Sequence, residues 1–293
     1  MELWVGCTLF AAFVQNLRSL LQKRISGRLG PDSASYVRFC YALPFALAYL
    51  LILAFFQDLP SINLGFLLWG GIGAIGQIIG AMALLRAFER RSFGVATAYS
   101  KTEVAQTAVA ASLFLPDPMS PGLLFGIAIS FVGVLLLSDG SGVRALLRID
   151  AGALLGLLSG LGLAVAAVGF RASALALGET TPAPVAAAMA LVLALLVQTV
   201  VMGGWLARRG ELAEVGRAWR PGLAIGLAGM LASAGWFTAM ALTAAANVRA
   251  LGQVELVFSV LTSVLLFGER IRRQQLFGIA LVALGVVVLL LLQ

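Results

Sequence analysis

The chain contains no histidine. That absence excludes His-based acid–base catalysis, His-ligated metals and the commonest proton shuttle. Charge is scarce too. Asp, Glu, Lys and Arg make up 11% of the 293 residues, where soluble domains carry about 25%. Lys23 and Lys101 are the only lysines, and Cys7 and Cys40 the only cysteines. Both cysteines fall in apolar runs and read as packing residues in preference to a disulfide. A Walker A loop, a G-x-S-x-G elbow and a Cys/His constellation are all missing. Their absence argues against ATP-driven work by this chain alone and against an enzyme. No cofactor or metal is implied.

What is there is apolar. Hydrophobic residues make up 61% of the chain, and mean hydropathy is +1.01. Neither a soluble domain nor a disordered chain has that composition. A membrane-crossing helix needs about 20 mostly apolar residues. Ten such spans are expected, at 3–23, 33–56, 63–88, 93–114, 121–138, 151–177, 183–206, 220–243, 247–267 and 273–292. The fold class expected is an all-α integral membrane protein of ten transmembrane helices. Residues Ala207–Arg220 form the longest polar stretch and suit a short interfacial helix. The start, Met1-Glu2-Leu3-Trp4, has no basic n-region, so the first span reads as a retained helix.

The net charge is +7. In a chain this apolar, the excess reflects basic loops facing the cytoplasm, not nucleic acid. Alternate loops carry Lys23, Arg24 and Arg28; Arg90 and Arg91; Arg144 and Arg148; Arg208, Arg209, Arg217 and Arg220; and Arg270, Arg272 and Arg273. The opposite side has Asp58, Asp117, Glu179 and, at most, Arg249. The asymmetry places both termini outside the cytoplasm. Arginine far outnumbers lysine, and Ala, Gly and Leu dominate. That bias suits a bacterial cytoplasmic membrane.

The chain also repeats. At an offset of 152, Glu103 meets Glu255, Asp117 meets Glu269, and Phe125-Gly126-Ile127-Ala128 meets Phe277-Gly278-Ile279-Ala280. Gly133-Val134 meets Gly285-Val286, and at 153 Arg18 meets Arg171 and Pro31 meets Pro184. The expected halves are 1–142 and 143–293. A unit of five helices starts its second copy on the opposite side of the membrane. The result is an inverted repeat, a signature of secondary transporters working by alternating access.

The segment Gln253–Leu290 carries Val254-Glu255-Leu256-Val257-Phe258-Ser259, then Leu266-Phe267-Gly268-Glu269-Arg270-Ile271. It continues with Gln274-Gln275-Leu276-Phe277-Gly278-Ile279-Ala280 and Gly285-Val286. This pattern resembles the end of an EamA domain of the drug/metabolite transporter superfamily. Ala108–Leu137 is a weaker copy, with Leu113-Phe114-Leu115-Pro116-Asp117 in place of the Gly-Glu-x-Arg turn. The resemblance implies two five-helix repeats and a secondary transporter, commonly an exporter of amino acids, other metabolites or toxic organic compounds. Bacterial exporters of amino acids, aromatic ones included, are the nearest match. A flippase of lipid-linked substrates or an exchanger of sugar phosphates or nucleotide sugars is the alternative.

Polar groups inside a bilayer are costly and mark function. Glu103 and Glu255 are the intramembrane acids. In a continuous helix Tyr99, Glu103 and Gln106 share a face, as do Glu255 and Ser259. Gln15, Gln77, Tyr99, Glu103, Gln106 and Ser259 are candidates for the polar ends of a zwitterionic solute. Trp236 and Met240 are candidates for its apolar part. Arg18 or Lys101 with Glu103, and Arg171 or Arg249 with Glu255, are candidate gating ion pairs; protonation of the glutamates is the competing role. Arg38 and Arg86 are expected to snorkel to the interface. Trp4, Trp69, Trp205 and Trp219 are expected near it. Expected partners are a small-molecule solute and the bilayer. Gly76/Gly80, Gly156/Gly160 and Gly222/Gly226 suit packing within the fold, and leave monomer and homodimer open.

Overall fold

A computed structural model describes residues 2–26, 29–90, 93–137, 150–267 and 272–292. Expectations for Arg28, Arg91, Arg144, Arg148, Glu269 and Arg270, for the side chains of Lys23 and Arg24, and for the 142/143 boundary lie outside the described residues. Every regular element among the described residues is an α-helix. In chain order these are α1 (Leu3–Ser26), α2 (Pro31–Cys40), α3 (Ala42–Phe56), α4 (Leu64–Arg90) and α5 (Phe93–Ser100). Then come α6 (Glu103–Phe114), α7 (Pro121–Leu137), α8 (Ala151–Ala176), α9 (Ala183–Arg208) and α10 (Leu212–Arg217). The chain ends with α11 (Trp219–Leu242), α12 (Ala245–Leu251), α13 (Val254–Phe267) and α14 (Arg273–Leu291).

Seven stretches among the described residues are long and apolar enough to cross a membrane: 32–56, 64–90, 151–176, 183–208, 219–242, 245–265 and 273–291. The 17-residue α7 is a shorter apolar helix. The polar stretch near Ala207–Arg220 holds the six-residue α10.

Three of the expected spans are interrupted. In the first, α2 ends at Cys40 and α3 starts at Ala42. Pro44 has no N–H for the Cys40 carbonyl, and its ring crowds that carbonyl, so a turn at Tyr41 results. The other two breaks fall at Lys101–Thr102 and Gly252–Gln253, between α5 and α6 and between α12 and α13. Both use tightened i→i−3 bonds: the Thr102 N–H donates to Tyr99 O at 3.2 Å, and the Gln253 N–H to Ala250 O at 3.3 Å. Such turns inside a helix mark hinges and functional sites. Lys101 and Gln253 are equivalent under the 152-residue offset. The continuous face drawn from Tyr99 through Glu103 is therefore cut. Tyr99 belongs to α5, and Glu103 and Gln106 to α6.

The helices form two compact units, each drawing on both halves of the sequence. Unit 1 comprises 1–75 and 169–243; unit 2 comprises 76–168 and 244–293.

Unit 1 is built on α1 packed against α11, with α9 against α2, α3 and α11. Small residues permit the close approach. A Cβ on Gly235 would lie 2.9 Å from both the Cys7 carbonyl and the Ala11 Cβ. The Tyr41 hydroxyl donates to Val215 O at 3.0 Å and ties α10 to the α2–α3 turn. Trp4, expected near the interface, is buried at 4% exposure. Cys7 and Cys40 are free thiols.

Unit 2 contains an extensive helix pair, α7 on α14. A Cβ on Gly126 would lie 2.8 Å from Gly285 O, and one on Gly285 would lie 2.7 Å from Gly126 O. Gly133 and Gly278 stand in the same relation, at 2.7 and 2.8 Å. Only glycine lets two backbones meet this closely. Gly126 is equivalent to Gly278, and Gly133 to Gly285. The repeat therefore maps the Gly126–Gly285 contact onto the Gly278–Gly133 contact, and the two helices run antiparallel. A local two-fold axis perpendicular to both helices generates that pattern.

Candidate functional site

The break in each discontinuous helix of unit 2 is flanked by charge. Lys101 follows the end of α5, and Arg249 lies in the last turn of α12. Glu103 opens α6, and Glu255 lies in the first turn of α13. This placement satisfies the helix dipoles, with cations at C-terminal ends and anions at N-terminal ends.

The four groups pair crosswise between the halves. Arg249 Nη2 donates to Glu103 Oε1. Lys101 Nζ donates to Glu255 Oε1 and also lies 3.8 Å from Glu103 Oε1. Lys101 thus serves both glutamates. The Lys101–Glu103 contact is one of the pairings expected from sequence. Arg249 pairs with Glu103, whereas sequence set it beside Glu255, because α12 packs against α6. Spacing along one chain could not show that contact.

Glu103 is the most secluded of the four, its side chain 2% exposed against 18% for Glu255. Its second oxygen, Oε2, is buried with no hydrogen-bond partner among the described residues. So are Gln106 Oε1, Thr107 Oγ1 and Gln253 Oε1. Gln106 Nε2 donates to Thr102 Oγ1 at 2.9 Å, which bridges the α5–α6 break. Helix α8 backs that break: the Ser100 and Ser159 hydroxyls are 2.9 Å apart, and a Gly160 Cβ would lie 2.9 Å from Thr102 Oγ1. Gln253 and Thr107 escaped the sequence reading. The offset that makes Gln253 the equivalent of Lys101 was the available signal.

Other candidates are placed as follows. Tyr99 packs its Cβ against Gly156. Gln77 is half-buried on α4, between Gly76 and Gly80, and those two glycines approach Gly162 and Leu163 of α8. Ser259 is exposed on α13.

In unit 1, Trp236 Nε1 donates to Gln15 Oε1 at 3.0 Å, joining a candidate aromatic contact to a candidate polar one. Trp236 and Met240 are buried, at 6% and 4% exposure. Arg171 Nη1 donates to the carbonyls of Met240 and Ala241, at 2.9 and 3.0 Å. Those are end-of-helix carbonyls of α11, so Arg171 caps that helix. Arg18 approaches α11 at Gly229, where a Cβ would lie 3.5 Å from Arg18 Cδ and from Arg38 O. Arg38 is half-buried in the last turn of α2. Its guanidinium lies over the Phe39 ring, 4.4 Å from the centroid, and its Nε is buried without a partner among the described residues.

Apolar helices, two of them broken at equivalent positions around a buried charge cluster, define a multi-pass membrane protein of the transporter class. The chain belongs to the EamA-like transporter family, whose profile matches residues 2–139 and 151–291. A solved structure described only as "Crystal structure of protein" is similar over 99% of this chain and 98% of its own, with a TM-score of 0.72 at 15% identity. That likeness concerns the fold. No curated protein matches the sequence.

Proposed function

We propose that this drug/metabolite-type transporter exports small metabolites, amino acids first among them, across a bacterial cytoplasmic membrane by alternating access. It moves its solute chemically unchanged. Ten transmembrane helices form two inverted five-helix repeats, with both termini outside. The antiparallel, two-fold glycine crossing of α7 and α14 supports the inversion, since equivalent spans related by that axis run in opposite directions.

The observation that carries the reading is the crosswise charge cluster at the two helix breaks. Broken helices at corresponding positions of two halves are the usual place for a transporter's solute and its moving parts. Lys101 contacts both glutamates, so a small rotation of either half-helix changes which pair it favours. The cluster acts as a gate latch, with Lys101, Glu103, Arg249 and Glu255 as its members. Gln15, Gln77, Tyr99, Gln106, Trp236, Met240 and Ser259 are the proposed solute contacts, and Arg18 and Arg171 the proposed supporting cations.

Counterflow in proteoliposomes tests this. Loading with aromatic, aliphatic and hydroxyl amino acids and with organic cations is expected to give saturable exchange of one class. Folded protein that exchanges none of them overturns the amino-acid reading.

A further inference from the structure

Three buried oxygens fall within one turn of α6 and have no hydrogen-bond partner among the described residues: Glu103 Oε2, Gln106 Oε1 and Thr107 Oγ1. Residues three and four apart are neighbours on a helix, so the three side chains share one face. Glu103 and Thr107 are fully buried. Gln106 is half-buried, as is Thr102 one turn before it, so this face reaches the surface of unit 2 beside the α5–α6 break.

The three oxygens are acceptors. Gln106 Nε2 donates to Thr102 Oγ1 at 2.9 Å, and the Thr102 hydroxyl donates in turn to Tyr99 O at 2.6 Å. That chain of bonds fixes which end of the Gln106 amide donates and leaves its carbonyl oxygen to accept. Glu103 Oε1 is held by Arg249, with Lys101 at 3.8 Å. The carboxylate thus has one oxygen in the latch and one outside it.

Buried polar atoms in native proteins are nearly all hydrogen-bonded. Three acceptors in one turn suit a ligand that brings donors. A primary ammonium carries three N–H donors and no acceptor, which matches them one for one. Charge narrows the choice. The latch already balances two cations against two anions. A bare cation such as Na+ would unbalance it, and a net charge inside a membrane protein is costly. A zwitterion adds none. In an α-amino acid the carboxyl carbon lies two bonds from the ammonium nitrogen, which keeps the carboxylate within reach of Lys101.

We infer that Glu103 Oε2, Gln106 Oε1 and Thr107 Oγ1 form the subsite for the ammonium group of a zwitterionic solute. The inference rests on the transporter reading and deepens it. The solute carries a free primary amine beside its carboxylate. Deaminated acids, fully N-methylated amino acids and bare organic cations are poor solutes. Glu103 serves the latch with one oxygen and the solute with the other.

The test uses full-length protein, with binding measured by calorimetry in nanodiscs and exchange by counterflow in proteoliposomes. The probes are leucine and phenylalanine, their deaminated analogues 4-methylpentanoate and 3-phenylpropanoate, and their N,N,N-trimethyl betaines. The betaines keep the positive charge and lose every N–H. Wild type is expected to bind at least one of the two amino acids about tenfold or more tightly than its analogue and its betaine. Thr107→Val keeps the shape of the side chain and removes the oxygen. It is expected to weaken binding of the amino acid about tenfold, and that of the deaminated analogue far less. Thr107→Ser is expected to restore most of the affinity. Thr107→Ala is the second variant, read in the same way if Thr107→Val fails to fold. Choline chloride in place of sodium chloride is expected to change nothing.

A wild type that binds neither amino acid, or binds it no better than the analogue or the betaine, overturns the subsite. So does a folded Thr107→Val or Thr107→Ala that keeps the wild-type selectivity. Binding that needs Na+ and ignores the amine assigns the three oxygens to a metal ion and overturns it too. Exchange without amine selectivity leaves the transporter reading standing and the subsite rejected. Amine-dependent binding with no exchange by wild type leaves the subsite standing and rejects transport.

Discussion

Arg249 and Glu103 belong to different halves of the chain, yet their side chains form one buried ion pair. The pair joins the last turn of one half-helix to the first residue of another. Its neighbour Lys101–Glu255 does the same in the reverse sense. Breaking a buried pair on one side leaves a charge uncompensated, at a cost of about 3–5 kcal/mol, whereas removing both partners together costs far less. Glu103→Gln and Arg249→Gln are each expected to lower the thermal unfolding midpoint in detergent. The double variant is expected to lie closer to wild type than either single one. Additive losses would show that the pair does not act as a unit.

Lys101 is the cation common to both glutamates. As part of the latch it governs exchange more than folding. Lys101→Met is expected to fold and to slow counterflow by about tenfold or more, some 1.4 kcal/mol of barrier. Lys101→Arg is expected to restore most of the rate. Glu103→Gln is expected to slow counterflow without altering the shape of its pH profile, because the latch role needs the charge and carries no proton. A changed profile would assign Glu103 to proton coupling.

The four-glycine crossing predicts symmetric damage. Any Cβ at Gly126, Gly133, Gly278 or Gly285 meets a carbonyl oxygen under 3 Å away. The backbones must separate, and overpacking of this kind costs about 1–3 kcal/mol. Gly126→Ala and Gly278→Ala are expected to destabilise by similar amounts, measured as loss of folded protein during heating. Combining them is expected to cost less than the sum, because one separation relieves both clashes.

The bond from Trp236 to Gln15 joins α11 to α1. Interhelical bonds of this kind contribute about 0.6 kcal/mol. Trp236→Phe keeps the ring and loses the donor, so its effect on stability should be small. Its effect on KM for the solute is expected to be larger. An unchanged KM in both Trp236→Phe and Gln15→Ala would confine the pair to helix packing.

The topology is open to direct test. A phosphatase fused after residue 293 is expected to be active, and a fluorescent protein there dark, because the positive loops hold that end outside. The reverse result would overturn the assigned orientation.

Much of the architecture was legible in the sequence because bilayer burial is a property of composition. A run of about 20 apolar residues is helical wherever backbone groups cannot bond to water. Helices therefore stand where the runs do, although the run expected to be continuous over 33–56 is broken at Tyr41. The repeat was legible too, since Phe125–Ala128 and Phe277–Ala280 are identical. The breaks at Lys101 and Gly252 were not. No proline marks either one, and the tightened bonds there form against packed neighbours such as Gly160. Nor was the partner of Arg249 legible. Local chemistry and hydropathy act along the chain, and by themselves they determined a polytopic, duplicated helical protein. Which charges meet depends on how helices from both halves mix within each compact unit, and only the tertiary structure decided that.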